Sequence, residues 1–109
     1  MRHITRMNHA VTVTHQPAAG RFEAVVDGRL ALCAYQRVDD VLHLTHTEVP
    51  RALEGRGIAA ALVEAALAWA RAEGLRVRPA CSYVATYMRR HPQTQDLLWV
   101  PSPPPTSNP

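Results

Sequence analysis

The sequence predicts an α/β (α+β) domain with a mixed, mainly antiparallel sheet, one long helix and one short C-terminal helix. Three observations indicate this fold. Asp27-Gly28, the strongest hairpin signal in the chain, stands between two stretches rich in strand-forming residues. Residues 41–49 alternate apolar and polar side chains, as a half-buried strand does. Residues 57–73 repeat apolar side chains at helical spacing and are rich in alanine, which favours helix.

Length and composition limit the chain to one domain. Its 109 residues can bury one modest core. No apolar run approaches twenty residues, so we expect no membrane span. Residues 1–9 lack the apolar stretch of a secretory signal, and the two cysteines, Cys33 and Cys81, fit a reduced cytoplasmic setting. Met1 and Met7 are both possible starts.

The charge of the chain does not indicate a nucleic-acid partner. The net charge is +3, but the arginines are scattered and form no basic run. A solvated surface and a phosphate-bearing cofactor account for them more simply. We expect no nucleic acid, no metal site, and a monomer or weak dimer.

The first half of the predicted domain, which spans residues 9–100, is an antiparallel meander. After a flexible segment at residues 1–8, strands are predicted at 9–15, 21–26, 30–38 and 41–49. In the last of these, strict alternation places Leu42, Leu44 and His46 on one face and the set Val41, His43, Thr45 and Thr47 on the other.

The second half contains the helices. In the helix of residues 57–73, the stripe predicted to pack on the sheet comprises Ile58, Leu62, Val63, Ala65, Ala66, Leu67 and Trp69. Gly74 is predicted to end this helix in the left-handed conformation. A strand at 75–83, interrupted or placed at an edge by Pro79, would follow in parallel through a right-handed crossover. A short helix at 84–91, a further turn at 94–100 and a disordered Pro-rich tail at 101–109 complete the chain.

A glycine-containing turn connects the strand ending at residue 49 to the long helix. The first amides of a helix have no intrahelical acceptor, and the dipole is positive there, so such a turn suits an anion such as phosphate. Gly55 and Gly57 would let a phosphate approach the backbone, and Arg51 and Arg56 add positive charge. An ordinary strand-to-helix turn explains the glycines equally well on spacing alone.

The residues of this turn resemble the GNAT N-acetyltransferase superfamily. Its acetyl-CoA loop reads Gln/Arg-x-x-Gly-x-Gly/Ala, and Glu54-Gly55-Arg56-Gly57-Ile58-Ala59 occupies that frame. Gly57 and Ala59 match, whereas Glu54 stands where Gln or Arg is usual, and we expect it to point away. The closest likeness is to a very small single-domain subgroup with a His-Thr-Glu-Val strand end, a Gly-Arg-Gly-Ile loop and a later Cys-Ser-Tyr strand end. It extends from His9 to Leu98.

The resemblance implies a GNAT-like fold with acetyl-CoA as cofactor. The residues expected to bind it are Val49, Arg51, Gly55, Arg56, Gly57, Ile58, Ala59 and Ala60. Most would bind through the main chain, with Val49 placed to hold the pantetheine arm. Superfamily members usually carry two helices between the first two strands, but here the connection after His15 is only a few residues long. Those helices shape the acceptor site, so their absence bears directly on function.

Glu48 and His46 are candidates for proton transfer. Acetyl transfer to an amine requires a neutral amine, so a carboxylate or imidazole can act as the base. The resemblance implies Glu48 as general base, because superfamily members often use an acidic residue on this strand. An exposed strand-end charge is the alternative for Glu48, and a strand histidine hydrogen-bonded in place is the alternative for His46.

Cys81 and Tyr87 are the remaining candidates. Cys81 is expected at the end of the second parallel strand, where a thiol would lie beside the thioester and could accept the acyl group. The alternative is a small packed side chain, the commonest fate of a free cysteine. Tyr87, expected at the start of the short helix, matches the tyrosine that protonates the leaving thiolate in superfamily members. Its alternative is a helix aromatic packed on the core.

The function predicted from these residues is acetyl-CoA-dependent N-acetyl transfer to a small-molecule or protein amine. A non-catalytic acyl-CoA binder or sensor, or a protein acylated on its own cysteine, is the alternative. A small nucleic-acid-binding domain is a third hypothesis, which the absence of a basic run and of an aromatic strand platform disfavours.

Overall fold

The protein forms a five-stranded sheet covered on one face by two helices. A computed structural model describes residues 11–101. Within that range the elements are β1 (Thr14–Gln16), β2 (Arg21–Val26), β3 (Arg29–Val38), β4 (Val41–Glu48), α1 (Ile58–Glu73), β5 (Arg76–Pro79) and α2 (Ser82–Arg90). Short 3-10 helices cover Pro17–Ala19, Arg51–Leu53 and Pro92–Leu97. The predicted flexible segment, the beginning of the first predicted strand and the tail from residue 102 lie outside the described residues.

The strands lie side by side in chain order, which confirms a mixed, mainly antiparallel sheet. β1 to β4 form the antiparallel meander, and β5 returns through α1 to pair with β4 in parallel. The predicted hairpin between β2 and β3 is present. Asp27 and Gly28 at its tip both have positive φ, 53° and 74°, which the two-residue turn requires.

One hydrophobic core lies between the sheet and the helices. The predicted stripe of α1 faces it: Ile58, Leu62, Val63, Ala66 and Leu67 are buried, while Ala65 and Trp69 are partly buried. α2 contributes Val84 and Met88 to the same core. Both helices therefore pack on the same side of the sheet. Among the described residues no helix covers the other side, where Val25 and Leu30 are exposed.

Two predicted strands are shorter in the structure. The first is predicted over residues 9–15, but within residues 11–101 its pairing with β2 is confined to Thr14–Gln16, and Val11 and Val13 instead pack against the core. The strand expected at 75–83 ends at Pro79. Proline lacks the N–H that would continue the ladder, so the chain leaves the sheet, and α2 begins at Ser82 rather than at residue 84.

The predicted alternation of β4 is wrong beyond Leu44. Tyr35 of β3 pairs with Leu44 while the preceding Ala34 pairs with His46, so Thr45 is an extra residue in a β-bulge. The bulge exchanges the two faces of the strand from this point. Leu42 and Leu44 are buried, but His46 turns outward and Thr47 turns toward the core.

Candidate functional site

An opening in the sheet lies beside the end of β4. The last parallel pair joins Leu44 to Pro79, and one further bond runs from the Ala80 N–H to the Leu44 carbonyl. β4 continues to Glu48 without β5 beside it, because β5 ends at Pro79 and the chain turns into α2. The end of β4 therefore presents main-chain groups that β5 does not pair.

The loop from β4 to α1 is fixed by its own short helix and by two glycines. Leu53 in the 3-10 helix is buried in the core and anchors the loop. Gly55 and Gly57 have φ of 81° and 77°, which side-chain-bearing residues rarely adopt. A Cβ at either position would meet nothing within 4 Å, so the space in front of both glycines is open.

The first amides of α1 lack partners in the described part of the chain. The helix begins with the bond from the Ala61 N–H to the Gly57 carbonyl. No acceptor within residues 11–101 is found for the N–H groups of Ile58, Ala59 and Ala60. Unpaired amides at the positive end of a 16-residue helix attract anions, and here they border open space.

A cavity of about 240 Å³ connects the loop, the end of β4 and the start of α2. Its lining residues are Val49, Glu54, Gly55, Gly57, Ile58, Ala59, Ala60 and Tyr83. The structure thus places six of the eight residues predicted to bind a cofactor around a single cavity. Glu54, expected to point away, is also part of its wall.

The two arginines of the predicted site lie elsewhere. Arg56 Nη1 lies 3.0 Å from Asp27 Oδ2 at the tip of the β2–β3 hairpin, and Arg56 lines a separate cavity next to that hairpin. Arg51 is exposed in the 3-10 helix. In this structure the wall of the loop cavity therefore presents main-chain amides, while Arg56 is paired with a carboxylate of its own chain.

Glu48 and His46 lie next to one another on the uncovered face of the sheet. His46 Nε2 is 4.0 Å from Glu48 Oε1, and both side chains are about 60% exposed, at 61% and 62%. Their strand leads directly to Val49 in the wall of the cavity. The pair therefore places side by side a carboxylate and an imidazole, two side-chain types that act as general bases.

Cys81 lies at the N-cap of α2 rather than at a strand end. Its thiol is half-buried, and the Sγ lies 3.6 Å from Thr47 Oγ1. Burial raises the pKa of the Cys81 thiol, but hydrogen bonding from the Val84 backbone, the Thr47 hydroxyl and the Tyr83 backbone outweighs it and lowers the pKa overall. In its thiol form Cys81 makes no capping hydrogen bond to the start of α2, and its side-chain partner is Thr47.

Tyr87 does not line the loop cavity. It lies past the middle of α2, stacked on His91 at 3.9 Å between ring centroids, and lines a cleft of about 200 Å³ with Glu64 of α1. Burial, then the nearby Glu64 and Tyr83, raise the pKa of the Tyr87 hydroxyl. Tyr83, one turn earlier, is the tyrosine that reaches the loop cavity, and burial raises the pKa of its hydroxyl as well.

The sequence reasoning missed Tyr83 and Thr47 as site residues. Tyr83 was assigned to a strand because the end of β5 was predicted too late. Its spacing of four residues from Tyr87 was the available signal, since such residues share one side of a helix. Thr47 was assigned to the face away from His46, correctly, but without the bulge that turns it toward both cysteines.

The fold and this site define a class of protein. Residues 21–97 match the family model described as GCN5-related N-acetyl-transferase, which covers more than half of the chain. The chain therefore belongs to the GCN5-related N-acetyltransferase family. Its fold is similar to the solution NMR structure of a GCN5-like protein from Staphylococcus aureus, with a TM-score of 0.66 and 24% identity. That match covers 81% of this chain and 87% of the other.

The relatives named NATD1 match this chain over about four fifths of the length of both proteins. Protein NATD1 of Mus musculus is 34% identical over 90 residues, covering 80% of this chain and 82% of the relative. NATD1 of Homo sapiens is also 34% identical, covering 80% of each chain. NATD1 of Danio rerio is 32% identical, covering 78% of this chain and 80% of the relative.

Across residues 11–101, no helix has the length and apolar character needed to cross a membrane.

Proposed function

We propose that the protein is an acetyl-CoA-dependent N-acetyltransferase that acts on a small-molecule or protein amine. The observation that carries the proposal is the set of amides at Ile58, Ala59 and Ala60, which have no acceptor among residues 11–101 and border a cavity at the end of β4. Membership of the family supports acetyl transfer as the reaction class. The nature of the amine is part of the proposal.

The residues present fit a diphosphate-bearing coenzyme. The amides of residues 58–60 would bind diphosphate oxygens, and the open space before Gly55 and Gly57 would admit them to the backbone. Val49 would hold the pantetheine arm through its main chain, at the end of β4 that β5 does not pair with. Acetyl-CoA, when bound, would supply an acetyl group activated as a thioester.

The side chains around the opening would manage protons. Glu48 would accept a proton from the incoming ammonium, directly or through water, so that the amine attacks in its neutral form. His46, 4.0 Å away, would share that proton and pass it to solvent. Tyr87 is the proposed acid for the departing thiolate. Tyr83 is a second candidate for this role, because it lines the loop cavity and its raised pKa keeps the hydroxyl protonated.

One observation favours a second candidate function, an acyl-CoA binder or a protein acylated on Cys81. The sheet face that carries Glu48 and His46 has no helix over it in the described part of the chain, so an amine would meet an open surface. Such a surface excludes little water and orients an acceptor weakly. Cys81, by contrast, lies in a defined environment beside Thr47.

Isothermal titration with acetyl-CoA tests the coenzyme assignment. We expect saturable 1:1 binding, and no binding at high micromolar protein would exclude both candidate functions. Mass spectrometry after incubation with labelled acetyl-CoA then separates them. Label on added amines supports the transferase, whereas label on Cys81 alone supports the acylated protein, and binding with no label anywhere supports the binder.

A further inference from the structure

The two cysteines of this chain are connected through one hydroxyl. Cys81 Sγ donates to Thr47 Oγ1 at 3.6 Å, and Thr47 Oγ1 donates to Cys33 Sγ at 3.9 Å. Thr47 reaches both thiols only because the bulge at Thr45 turns it toward the core, where it pairs across the ladder with Cys33. The proposed transferase chemistry assigns no role to Thr47 or to Cys33.

We propose that Thr47 is a positioning residue for Cys81: its hydroxyl turns from Cys33 to Cys81 when that thiol ionises, and holds the sulfur toward the opening at the end of β4. The inference rests on the proposed function in the form in which Cys81 receives the acyl group. The inference adds Thr47 to the residues that act on Cys81, and it explains how Cys81 rather than Cys33 would be selected as the reacting thiol.

The Thr47 hydroxyl can donate to only one sulfur at a time. A threonine has a single O–H proton, so the chain of bonds has a direction. In the structure it runs from Cys81 through Thr47 to Cys33. When Cys81 loses its proton to water, its sulfur becomes the strongest acceptor nearby, and charge-assisted bonds exceed neutral ones in strength. Thr47 then donates to Cys81, and the Cys33 thiol can donate to Thr47, with no other proton lost.

Cys33 is suited to remain a thiol throughout. It is completely buried, and desolvation raises its pKa to about 11, against the opposing effect of the Thr47 bond. Negative charge on Cys81 is a smaller contribution to the same rise. Cys81 is half-buried at the N-cap of α2, where the Val84 and Tyr83 backbone also favours the thiolate. The same hydroxyl therefore meets one thiol whose pKa is lowered and one whose pKa is raised.

Few other titratable groups face Cys81. Glu48 and His46 of β4 lie on the opposite face of the strand from Thr47, because adjacent residues of a strand point to opposite faces. Glu64 of α1 lies beside Tyr87. Arg78 of β5 is exposed. Of the groups near the thiol, Cys33 is coupled to it by charge, and Tyr83 on α2 hydrogen-bonds to it through its main chain.

The test is the pH dependence of alkylation of Cys81 by iodoacetamide, resolved from Cys33 by peptide mass spectrometry. Only the thiolate reacts, so the midpoint of the rate profile reports the thiol pKa. Thr47→Val keeps the shape and removes the hydroxyl. We expect its midpoint to rise by about one unit and the rate at pH 7 to fall about tenfold, since one unit is a factor of ten.

Three further variants make the result specific. Thr47→Ser keeps the hydroxyl and should retain the wild-type profile. Thr47→Ala should reproduce the loss seen with valine, which excludes a steric effect of the added methyl group. Thr45→Val makes the same change at the exposed bulge residue, whose hydroxyl bonds to the Ala34 carbonyl, and should leave Cys81 unaffected. An unchanged profile in both Thr47→Val and Thr47→Ala, or a serine variant that behaves like valine, would overturn the proposal.

This measurement needs no coenzyme, so it fails independently of the proposed function. If acetyl-CoA binds and the Thr47 variants alkylate like wild type, the positioning role is wrong and the coenzyme site stands. If the profile shifts as expected and acetyl-CoA does not bind, Thr47 does position the thiol, and the coenzyme assignment is wrong.

Discussion

The two ends of α1 have similar bounding glycines but differ in the hydrogen bonding of their terminal main-chain groups. Each is bounded by a glycine in the left-handed conformation, Gly57 at φ 77° and Gly74 at φ 71°, and neither glycine has a neighbour within 4 Å of a Cβ position. At the C-terminal end the chain satisfies its own groups. The Gly74 N–H bonds to the Ala70 and Arg71 carbonyls, and the Leu75 N–H bonds to the Ala70 carbonyl.

Side chains reinforce that closed end. Arg71 makes bonds of 2.7 and 3.0 Å to the two carboxylate oxygens of Asp96, and a third to the Gln93 carbonyl. Arg76 bonds to the Asp96 carbonyl and ties the same 3-10 helix to the start of β5. The N-terminal end has no comparable partner for its amides in the described residues. The difference indicates that the closed end serves the fold and that the unpaired end is available to a ligand.

The largest expected effect is on catalysis next to the unpaired end. Glu48→Gln removes the proposed base without altering the loop, so we expect turnover of any accepted amine to fall about a hundredfold or more at neutral pH. Coenzyme affinity should stay within about twofold of wild type. Steady-state kinetics with a titration of the same samples checks both, and intact turnover across the pH range would remove Glu48 from the mechanism.

The next effect separates the two ends of the helix directly. Gly57→Ala and Gly74→Ala impose the same left-handed strain, about 1 kcal/mol each, and both add a methyl group to open space. Of these two glycines, only Gly57 borders the loop cavity. We expect a similar loss of melting temperature in both, but at least about a tenfold loss of acetyl-CoA affinity only in Gly57→Ala, because one charge-assisted bond is worth roughly that much.

Equal losses of affinity in the two glycine variants would contradict the assignment of the unpaired end. The measurements are thermal melts and titration calorimetry on the same preparations. Because Gly74→Ala carries the same backbone strain, it controls for any general effect of destabilisation on binding.

A smaller effect is expected from the arginine of the loop. If main-chain amides hold the diphosphate while Arg56 pairs with Asp27, Arg56→Gln should weaken coenzyme binding only about two- to fivefold, as for an exposed charge. Asp27→Asn should change it by no more. Titrations at two salt concentrations check this, and a loss as large as that of Gly57→Ala would show that the side chain, rather than the backbone, dominates.

The smallest effect belongs to the closed end and concerns stability alone. Hydrogen bonding to Arg71 is the largest cause that lowers the pKa of Asp96 below its usual 3.8. A lowered carboxylate pKa contributes stability that is present above 3.8 and lost as pH falls through the folded value. Arg71→Gln should therefore melt slightly below wild type at pH 7 and converge with it as the pH falls below 3.8 and through the lowered pKa of Asp96. A difference that persists at low pH would assign the effect to packing instead.

Local signals in the sequence predicted much of this molecule. The Asp-Gly hairpin and the helix predicted at residues 57–73 are confirmed, because each depends on the conformational preferences of a few adjacent residues. The order of the strands is also confirmed, because short connections place consecutive strands side by side. The cavity-lining stretch 57–60 was found for the same reason, since glycines before an apolar helical repeat mark where unpaired amides will lie.

The bulge in β4 and the pairing of Arg56 with Asp27 depend on distant partners and were not predicted, whereas the end of β5 follows from Pro79 itself, which has no N–H for the ladder. The bulge at Thr45 depends on how β4 aligns with β3, and no residue in β4 by itself requires it. The early end of β5 at Pro79 moved Ser82 and Tyr83 from a strand into a helix and Cys81 to its N-cap. Arg56 found its carboxylate 29 positions away, on a hairpin that only the folded chain brings near.

The sequence by itself determined the strands, the long helix and the glycine turn between them, because these follow from short-range periodicity and glycine geometry, and the resemblance of that turn to the GNAT superfamily indicated the family. Only the tertiary structure decided which side chains share the site. Thr47 lies between two thiols, Tyr83 rather than Tyr87 lines the loop cavity, and Arg56 pairs with Asp27. Those arrangements depend on strand register and on contacts between residues far apart in the chain, which no local pattern encodes.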